Sequence, residues 1–262
     1  MQNVKILLVG GSGFLGKHVL SLIKDEFNVI LFSRRALDGF NIIYGDIRRE
    51  SDVKRVGKVD IVINLAGVLK GDYFGVHVKG VRNLLTLAPR IIHVSALWSS
   101  PTGNQYQVSK WEGERLVMKF AESYFIVRPS VMFGISDRFI TRLLKYVRRF
   151  TFIPWFDGKV SPVFVGDVAE VIVNAIDSVK KGDKQIKSIC GPRDFTIKEL
   201  MKLLADIFGI KKRFLKIPKT LLHIYSRFSD FPLFTEMLKT KECERLKTDI
   251  EDYVRRHVHE FT

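Results

Sequence analysis

The stretch VKILLVGGSGFLGKHVLSLI, Val4 to Ile23, constrains this chain more than any other. An apolar, β-branched run ends in glycines at Gly10, Gly13 and Gly16, and a helical pattern begins among them. A strand, a tight turn and a helix in that order are the first half of a βαβ unit. Gly10 permits the tight turn, Gly13 lets the backbone approach a ligand, and Gly16 lets the helix pack closely. Phe14 and Leu15 open the helix, so its free N–H groups face an anion held over the turn. In this context the GxxGxxG spacing predicts that Gly10, Gly13, Phe14, Leu15 and Gly16 cradle the pyrophosphate of a dinucleotide.

Further short apolar runs follow: NVILFS, NIIYGD, VDIVINLAG, RIIHVSA and YFIVRPS. Their continuous rather than alternating apolarity predicts strands buried on both faces. Helical patterns lie between them (VHVKGVRNLLTLA and QYQVSKWEGERLVMKFAES), so the order reads βαβαβαβ. The expected fold class is α/β, a Rossmann-type doubly wound parallel sheet with a small C-terminal lobe. We expect one intertwined unit over residues 1–262. Residues 1–130 plus about 160–190 would form the dinucleotide-binding core, and about 131–159 and 191–262 the lobe, which contains Phe133, Arg138, Phe139 and Trp155; substrate would enter between that lobe and the sheet's carboxyl edge. Thr196 followed by Glu199 predicts a capping box at a lobe helix.

The 262 residues carry a net charge of +15, which implies an anionic partner. The basic groups, KYVRRF (Lys145 to Phe150) and KKRFLK (Lys211 to Lys216) among them, are scattered without a nucleic-acid-binding motif, and no nucleic-acid partner is expected. Two cysteines, Cys190 and Cys243, stand far apart with no CxxC or Cys/His cluster, which argues against a disulfide framework or a zinc site and for a reducing cytoplasm; no metal is expected. No cationic leader precedes the first strand and no apolar run approaches the roughly 20 residues that span a bilayer, so a cytoplasmic protein, at most peripheral at the inner face of a membrane, is expected. The stretch Ile217 to Leu246 interleaves aromatics and leucines with lysines, which suits either a packed lobe helix or contact with a membrane surface.

The second strand ends in FSRRA. An NAD site commonly places an acidic residue there for the ribose hydroxyls, whereas Ser33, Arg34 and Arg35 favour a 2′-phosphate. The planar fork of arginine suits phosphate, so NADP(H) is expected over NAD(H).

The motifs GGSGFLG, YGDI, NLAG, HVKGVRNLL, YQVSK, RPSVMFG and PVFVGDVAE occur in the order found in extended and atypical short-chain dehydrogenase/reductases, which this chain resembles. HVSAL and RPSVMFGISDRF make it similar to the branch that holds the nucleotide-binding accessory subunit of respiratory complex I and its bacterial relatives. The resemblance implies that Asp46 and Ile47 hold the adenine, that Leu65, Ala66 and Gly67 line the adenosine and ribose, and that Arg128, Pro129 and Ser130 flank the nicotinamide. His77 departs from the pattern, which usually places an asparagine there.

Tyr106 and Lys110 stand at i and i+4 of an expected helix, so their side chains share a face. An ammonium there would lower the tyrosine pKa from roughly 10 and suit it to donate or abstract a proton. Lys110 would also grip the nicotinamide ribose. The serine that orients the substrate falls on Leu97, leaving Ser95, or Ser99 and Ser100, to serve. Two readings stay open: an NADP(H)-dependent oxidoreductase acting on an unidentified small carbonyl or alcohol, and a non-catalytic nucleotide-binding protein docked to a respiratory or quinone-linked membrane complex.

Overall fold

A computed structural model describes residues 2–35, 40, 42–155, 158–216 and 242–261. The chain divides into two compact units, residues 1–129 with 165–189 and residues 130–164 with 190–262.

The first unit opens with β1 (Gln2–Val9), α1 (Phe14–Ile23), β2 (Phe27–Ser33), β3 (Ile42–Tyr44), α2 (Glu50–Lys54), β4 (Ile61–Asn64), α3 (Gly80–Leu84), β5 (Arg90–Val94), α4 (Gln105–Phe120) and β6 (Ser123–Pro129). A π-helical turn, Gly75–Lys79, leads into α3. The chain then builds β7 (Met132–Phe133), α5 (Phe139–Arg149), β8 (Phe152–Trp155), β9 (Lys159–Val160) and β10 (Val163–Phe164) of the second unit. It returns for α6 (Val165–Lys180) and β11 (Lys184–Cys190), and ends with β12 (Phe195–Thr196), α7 (Ile197–Ile207), β13 (Arg213–Lys216), β14 (Glu244–Arg245) and α8 (Ile250–Arg256).

Strands of the first unit stand in the order β11-β6-β5-β4-β1-β2-β3, every pairing parallel. The chain works outward from β1 in one direction and from β4 in the other, so the switch point lies between these two strands. In such sheets a ligand crevice opens at the carboxyl ends there. All four β4 residues are buried, which is why that strand reads as an unbroken apolar run ending in Asn64. Val53 of α2, Val81 and Leu84 of α3 and Val117 of α4 cluster with Leu7, Val62, Ile91 and Ile126 of the strands, while α1 packs on α6. Burying each such side chain contributes roughly 1.5–3 kcal/mol, which fixes the sheet between its helices.

The second unit has its own core. In α5 the spacing Ile140, Leu143, Leu144 and Val147 places one apolar stripe against Leu200, Met201 and Leu204 of α7. The capping box at α7 is complete: Glu199 N–H donates to Thr196 Oγ1 at 3.1 Å and Thr196 N–H to Glu199 Oε2 at 2.6 Å. Phe133 is fully buried in this core and Phe139 packs against it, so both belong to the interior of the second unit. Arg138 is exposed.

One correction concerns the cysteines. Cys190 and Cys243 form a disulfide, with Cα atoms 5.8 Å apart across 53 positions of sequence. The bridge joins the end of β11 to the residue before β14, a proximity created by the second unit's tertiary structure. Disulfides persist in oxidising surroundings, so the cysteines no longer argue for a reducing compartment.

Among the described residues no helix is long and apolar enough to cross a membrane. Of the basic, aromatic stretch Ile217 to Leu246, residues 217–241 lie outside the described residues.

Candidate functional site

At the carboxyl end of β1, Gly10 has φ +83°, the left-handed region where glycine carries no steric cost. A Cβ there would stand 3.3 Å from the Leu65 carbonyl carbon and the Ala66 nitrogen, so the glycine turn and the segment after β4 lie against one another. A Cβ on Gly16 would overlap the Gly10 carbonyl oxygen and come within 2.6 Å of Gly11 Cα. Gly13 is extended and exposed, and its N–H donates to the Gly10 carbonyl at 2.9 Å. No side chain caps α1 and no acidic residue occupies its first turn. Its leading N–H groups and the positive end of its dipole therefore suit an anion.

Ser12 Oγ and Ser33 Oγ share a hydrogen bond of 2.9 Å, and Arg35 N–H donates to Ser33 Oγ at 3.1 Å. Ser33 is thus a buried tie between the glycine turn and the end of β2, while Arg34 and Arg35 extend the same edge into solvent.

Asp46 and Ile47 follow β3. The Arg48 guanidinium donates to both carboxylate oxygens of Asp46, from Nη2 at 2.6 Å, and its hydrogen bonds hold the Asp46 pKa down at about 2. The Ile47 side chain packs on Gly80, where a Cβ would meet it at 2.5 Å, and its carbonyl accepts from Asn83 Nδ2 at 2.7 Å. The Ile47 side chain is therefore part of the core.

The segment after β4 carries Leu65, Ala66 and Gly67. Leu65 N–H donates to the Val9 carbonyl at 3.0 Å, and Ala66 N–H to Asn64 Oδ1 at 3.1 Å. Val68 N–H donates to His77 Nε2 at 3.1 Å. A Cβ on Gly67 would stand 3.3 Å from Lys110 Nζ, so Lys110 lies against this segment.

Helix α4 begins where Asn104 and Gln107 cap each other, Gln107 N–H on Asn104 Oδ1 at 3.1 Å and Asn104 N–H on Gln107 Oε1 at 2.9 Å. This cap sets the phase that turns Lys110 and Glu114 inward and leaves Tyr106 half-buried. Lys110 Nζ donates to the Val94 carbonyl at 3.1 Å; burial pushes its pKa down to about 8 against the Glu114 carboxylate, which favours the charged form. Burial, with Tyr73 alongside, pushes the Tyr106 phenol up to about 12. The lowered tyrosine pKa expected from the Tyr106–Lys110 spacing is not seen, because desolvation of the phenolate dominates.

Ser95 Oγ and Ser130 Oγ are buried and, among the described residues, without a hydrogen-bond partner. Leu97 is buried with its N–H on the Pro129 carbonyl at 3.0 Å, and Ser100 Oγ lies 3.3 Å from Thr102 Oγ1. Ser99 Oγ donates to Glu114 Oε1 at 2.8 Å. Glu114 also takes Arg128, whose Nε donates to Oε1 at 2.9 Å and Nη2 to Oε2 at 2.5 Å. Arg128 thereby braces β6 against α4. Sequence reasoning missed Glu114, although its place four residues past Lys110 on the same helix face was a usable signal. Glu114→Ala should cost about 3 kcal/mol in a urea melt, because it strands a half-buried guanidinium and Ser99, whereas Glu114→Gln should cost less.

Two buried imidazoles underlie the site. Asn64 Oδ1 accepts from Ala66, which directs Asn64 Nδ2 to donate to His93 Nδ1 at 3.1 Å. Burial, with the Lys110 charge nearby, pushes His93 down to about 3; the same effects and His93 push His77 down to about 2. Both folded pKa values lie below the unfolded 6.5, so stability is full above that pH and falls as pH drops toward 3, at about 1.4 kcal/mol per unit for each ring. Asp137, raised by burial to about 6, works in the opposite direction between pH 6 and 4. A net loss of about 3 kcal/mol is expected between pH 7.5 and 5.0 in denaturant titrations.

The residues present fit a dinucleotide. Gly16 leaves no room for a Cβ and Gly10 holds a left-handed φ, while among the described residues no side chain caps the start of α1 and the buried Ser95 hydroxyl has no partner.

Comparison with known proteins points the same way. The sequence profile of the NAD dependent epimerase/dehydratase family matches residues 6–191. A mitochondrial protein of Dictyostelium discoideum, NADH dehydrogenase [ubiquinone] 1 alpha subcomplex subunit 9, is 26% identical over 221 residues, covering 75% of this chain and 62% of its own length. The chain thus spans about three-fifths of that relative. Among solved structures, the Bordetella bronchiseptica enzyme WbmH in complex with NAD+ superposes with a TM-score of 0.74 at 14% identity, covering 99% of this chain and 98% of that one. The dTDP-4-dehydrorhamnose reductase of Bacillus anthracis in complex with NADP gives 0.68 at 20% identity, over 84% and 86%. At these identities the likeness is one of fold.

Proposed function

The chain belongs to the NAD dependent epimerase/dehydratase family, and on that premise we propose that its first unit binds a nicotinamide dinucleotide at the carboxyl ends of β1, β2 and β4 and acts as an oxidoreductase on a carbonyl or alcohol. The observation that carries this reading is the glycine cradle: Gly10 at φ +83° and Gly16 closed against it, beneath an uncapped helix start. Both solved relatives described above hold such a nucleotide.

The bound nicotinamide would supply the hydride chemistry. Tyr106, its pKa raised by burial, would hold its phenolic proton at neutral pH and donate it to a carbonyl oxygen, or take it back from an alcohol in reverse. Lys110 would hold positive charge at Nζ beneath Gly67, and Ser95 Oγ would offer a hydrogen bond at the end of β5. The exposed pair Arg34 and Arg35 supports NADP(H) as the preferred form.

Calorimetric titration with NADPH and NADH tests this. NADPH is expected to bind at least about tenfold more tightly, with the difference erased by Arg34→Ala combined with Arg35→Ala. Equal affinities would remove the preference, and no binding of either would remove the reading. Tyr106→Phe should keep the affinity and lose turnover.

A second reading rests on Leu97. A buried leucine replaces the substrate-orienting hydroxyl, and losing one such group costs roughly 10²-fold or more in rate. The chain would then be a nucleotide-binding structural or assembly protein peripheral to a respiratory or quinone-linked membrane complex, as the name of the Dictyostelium relative suggests. A screen of carbonyl substrates, quinones included, that shows no NADPH consumption above the Tyr106→Phe baseline would favour this reading.

A further inference from the structure

We propose that His77 is a positioning residue that couples the cofactor-side segment Leu65–Val68 to the helical turn carrying Tyr106, a role that rests on the reading of both given above. The argument begins with a donor that has no choice. Val68 N–H can only donate, so His77 Nε2, 3.1 Å away, accepts and carries no proton. The neutral ring therefore holds its hydrogen on Nδ1, which donates to Ser109 Oγ at 2.8 Å. Ser109, having accepted, turns its own hydrogen to the Tyr106 carbonyl at 2.8 Å. One relay thus runs from the segment beside the glycine turn to the backbone of Tyr106, each bond's direction fixed by the one before.

Packing leaves the ring no alternative pose. His77 is 1% exposed. It lies stacked against Tyr73 with ring centroids 6.1 Å apart and edge-on to Tyr106 at 5.6 Å. Gly67 and Gly113 bracket it: a Cβ on Gly67 would come 3.7 Å from Nε2, and one on Gly113 would overlap the His77 carbonyl. The π-helical turn Gly75–Lys79 places the residue on α4, against which that turn packs. Such single turns of π-helix recur at functional sites. Burial keeps the ring neutral, and a second proton would sit on Nε2 facing the Val68 N–H.

The coupling is testable without a ligand. Ser109→Ala cuts the relay at the Tyr106 end, and amide hydrogen exchange is read at Val68 on the other end. Ala66, whose N–H is held by Asn64 outside the relay, is the internal control. Exchange at Val68 should quicken at least tenfold relative to Ala66. His77→Phe, which keeps a planar ring and removes both of its bonds, should do the same and serves should Ser109→Ala not fold. Nitrogen NMR of the unliganded wild type should show His77 protonated at Nδ1. An unchanged Val68-to-Ala66 ratio in a folded variant, or an Nε2–H tautomer, would overturn the proposal. With NADPH added, Ser109→Ala should weaken binding about tenfold, and equal affinity would also overturn it. Should the wild type bind neither NADPH nor NADH, the proposed function falls while the exchange ratio still decides the coupling.

Discussion

Gly16→Ala is expected to abolish nucleotide binding and to lower the unfolding free energy by about 3 kcal/mol. The added methyl would overlap the Gly10 carbonyl oxygen and lie 2.6 Å from Gly11 Cα and 2.7 Å from the Gly11 carbonyl carbon. All three are backbone atoms, so no side chain can rotate aside; α1 must move off the turn. That movement withdraws the helix start from any phosphate above Gly13. Gly182 provides the control, with φ +92° and nothing within 4 Å of a Cβ. Gly182→Ala should cost only about 1 kcal/mol, from backbone strain, and leave NADPH affinity unchanged. A Gly16→Ala protein that binds NADPH like the wild type would show that the cradle does not hold the pyrophosphate.

Cys243→Ser is expected to remove about 4 kcal/mol, the chain-entropy value for a loop closed across 53 positions. For a chain of this size that is a fall of roughly 10 °C in Tm. Cys190 is wholly buried, so reductant alone should act slowly on the folded wild type and not at all on the variant. A melting temperature indifferent to the substitution would mean that the bridge does not form in solution. The bridge lies within the second unit, so NADPH binding by the first unit should change far less than the melting temperature does.

Local pattern carried a large part of this protein. Apolar runs bounded by turn residues marked β1 to β6 of the first sheet, because a strand buried on both faces admits little else, whereas the partly exposed β11 carries no such run. The glycine spacing gave the turn at Gly10 and the close approach at Gly16, since only glycine tolerates either. Thr196 and Glu199 gave a helix start. In each case the cause lies within a few residues of its effect.

The departures share the opposite property. Cys190 and Cys243 meet across 53 positions, and nothing in their spacing marks the meeting. Arg128 pairs with Glu114, fourteen positions earlier, a partner no local pattern announces. The Ile47 side chain packs on Gly80, a neighbour that its own stretch of sequence does not mark. Tyr106 has its lysine at i+4, but burial of both side chains, which no helical spacing encodes, sets their pKa values. His77 shows the division within one residue. Sequence marked it as a departure from a pattern, while the relay from Val68 to Tyr106 exists only because β4, a π-helical turn and α4 are packed together. Sequence alone determined the parallel sheet and the glycine cradle, whose causes are local sterics and apolar periodicity. Tertiary structure decided which polar groups are buried together, and hence their charge and partners, because desolvation depends on neighbours brought from afar.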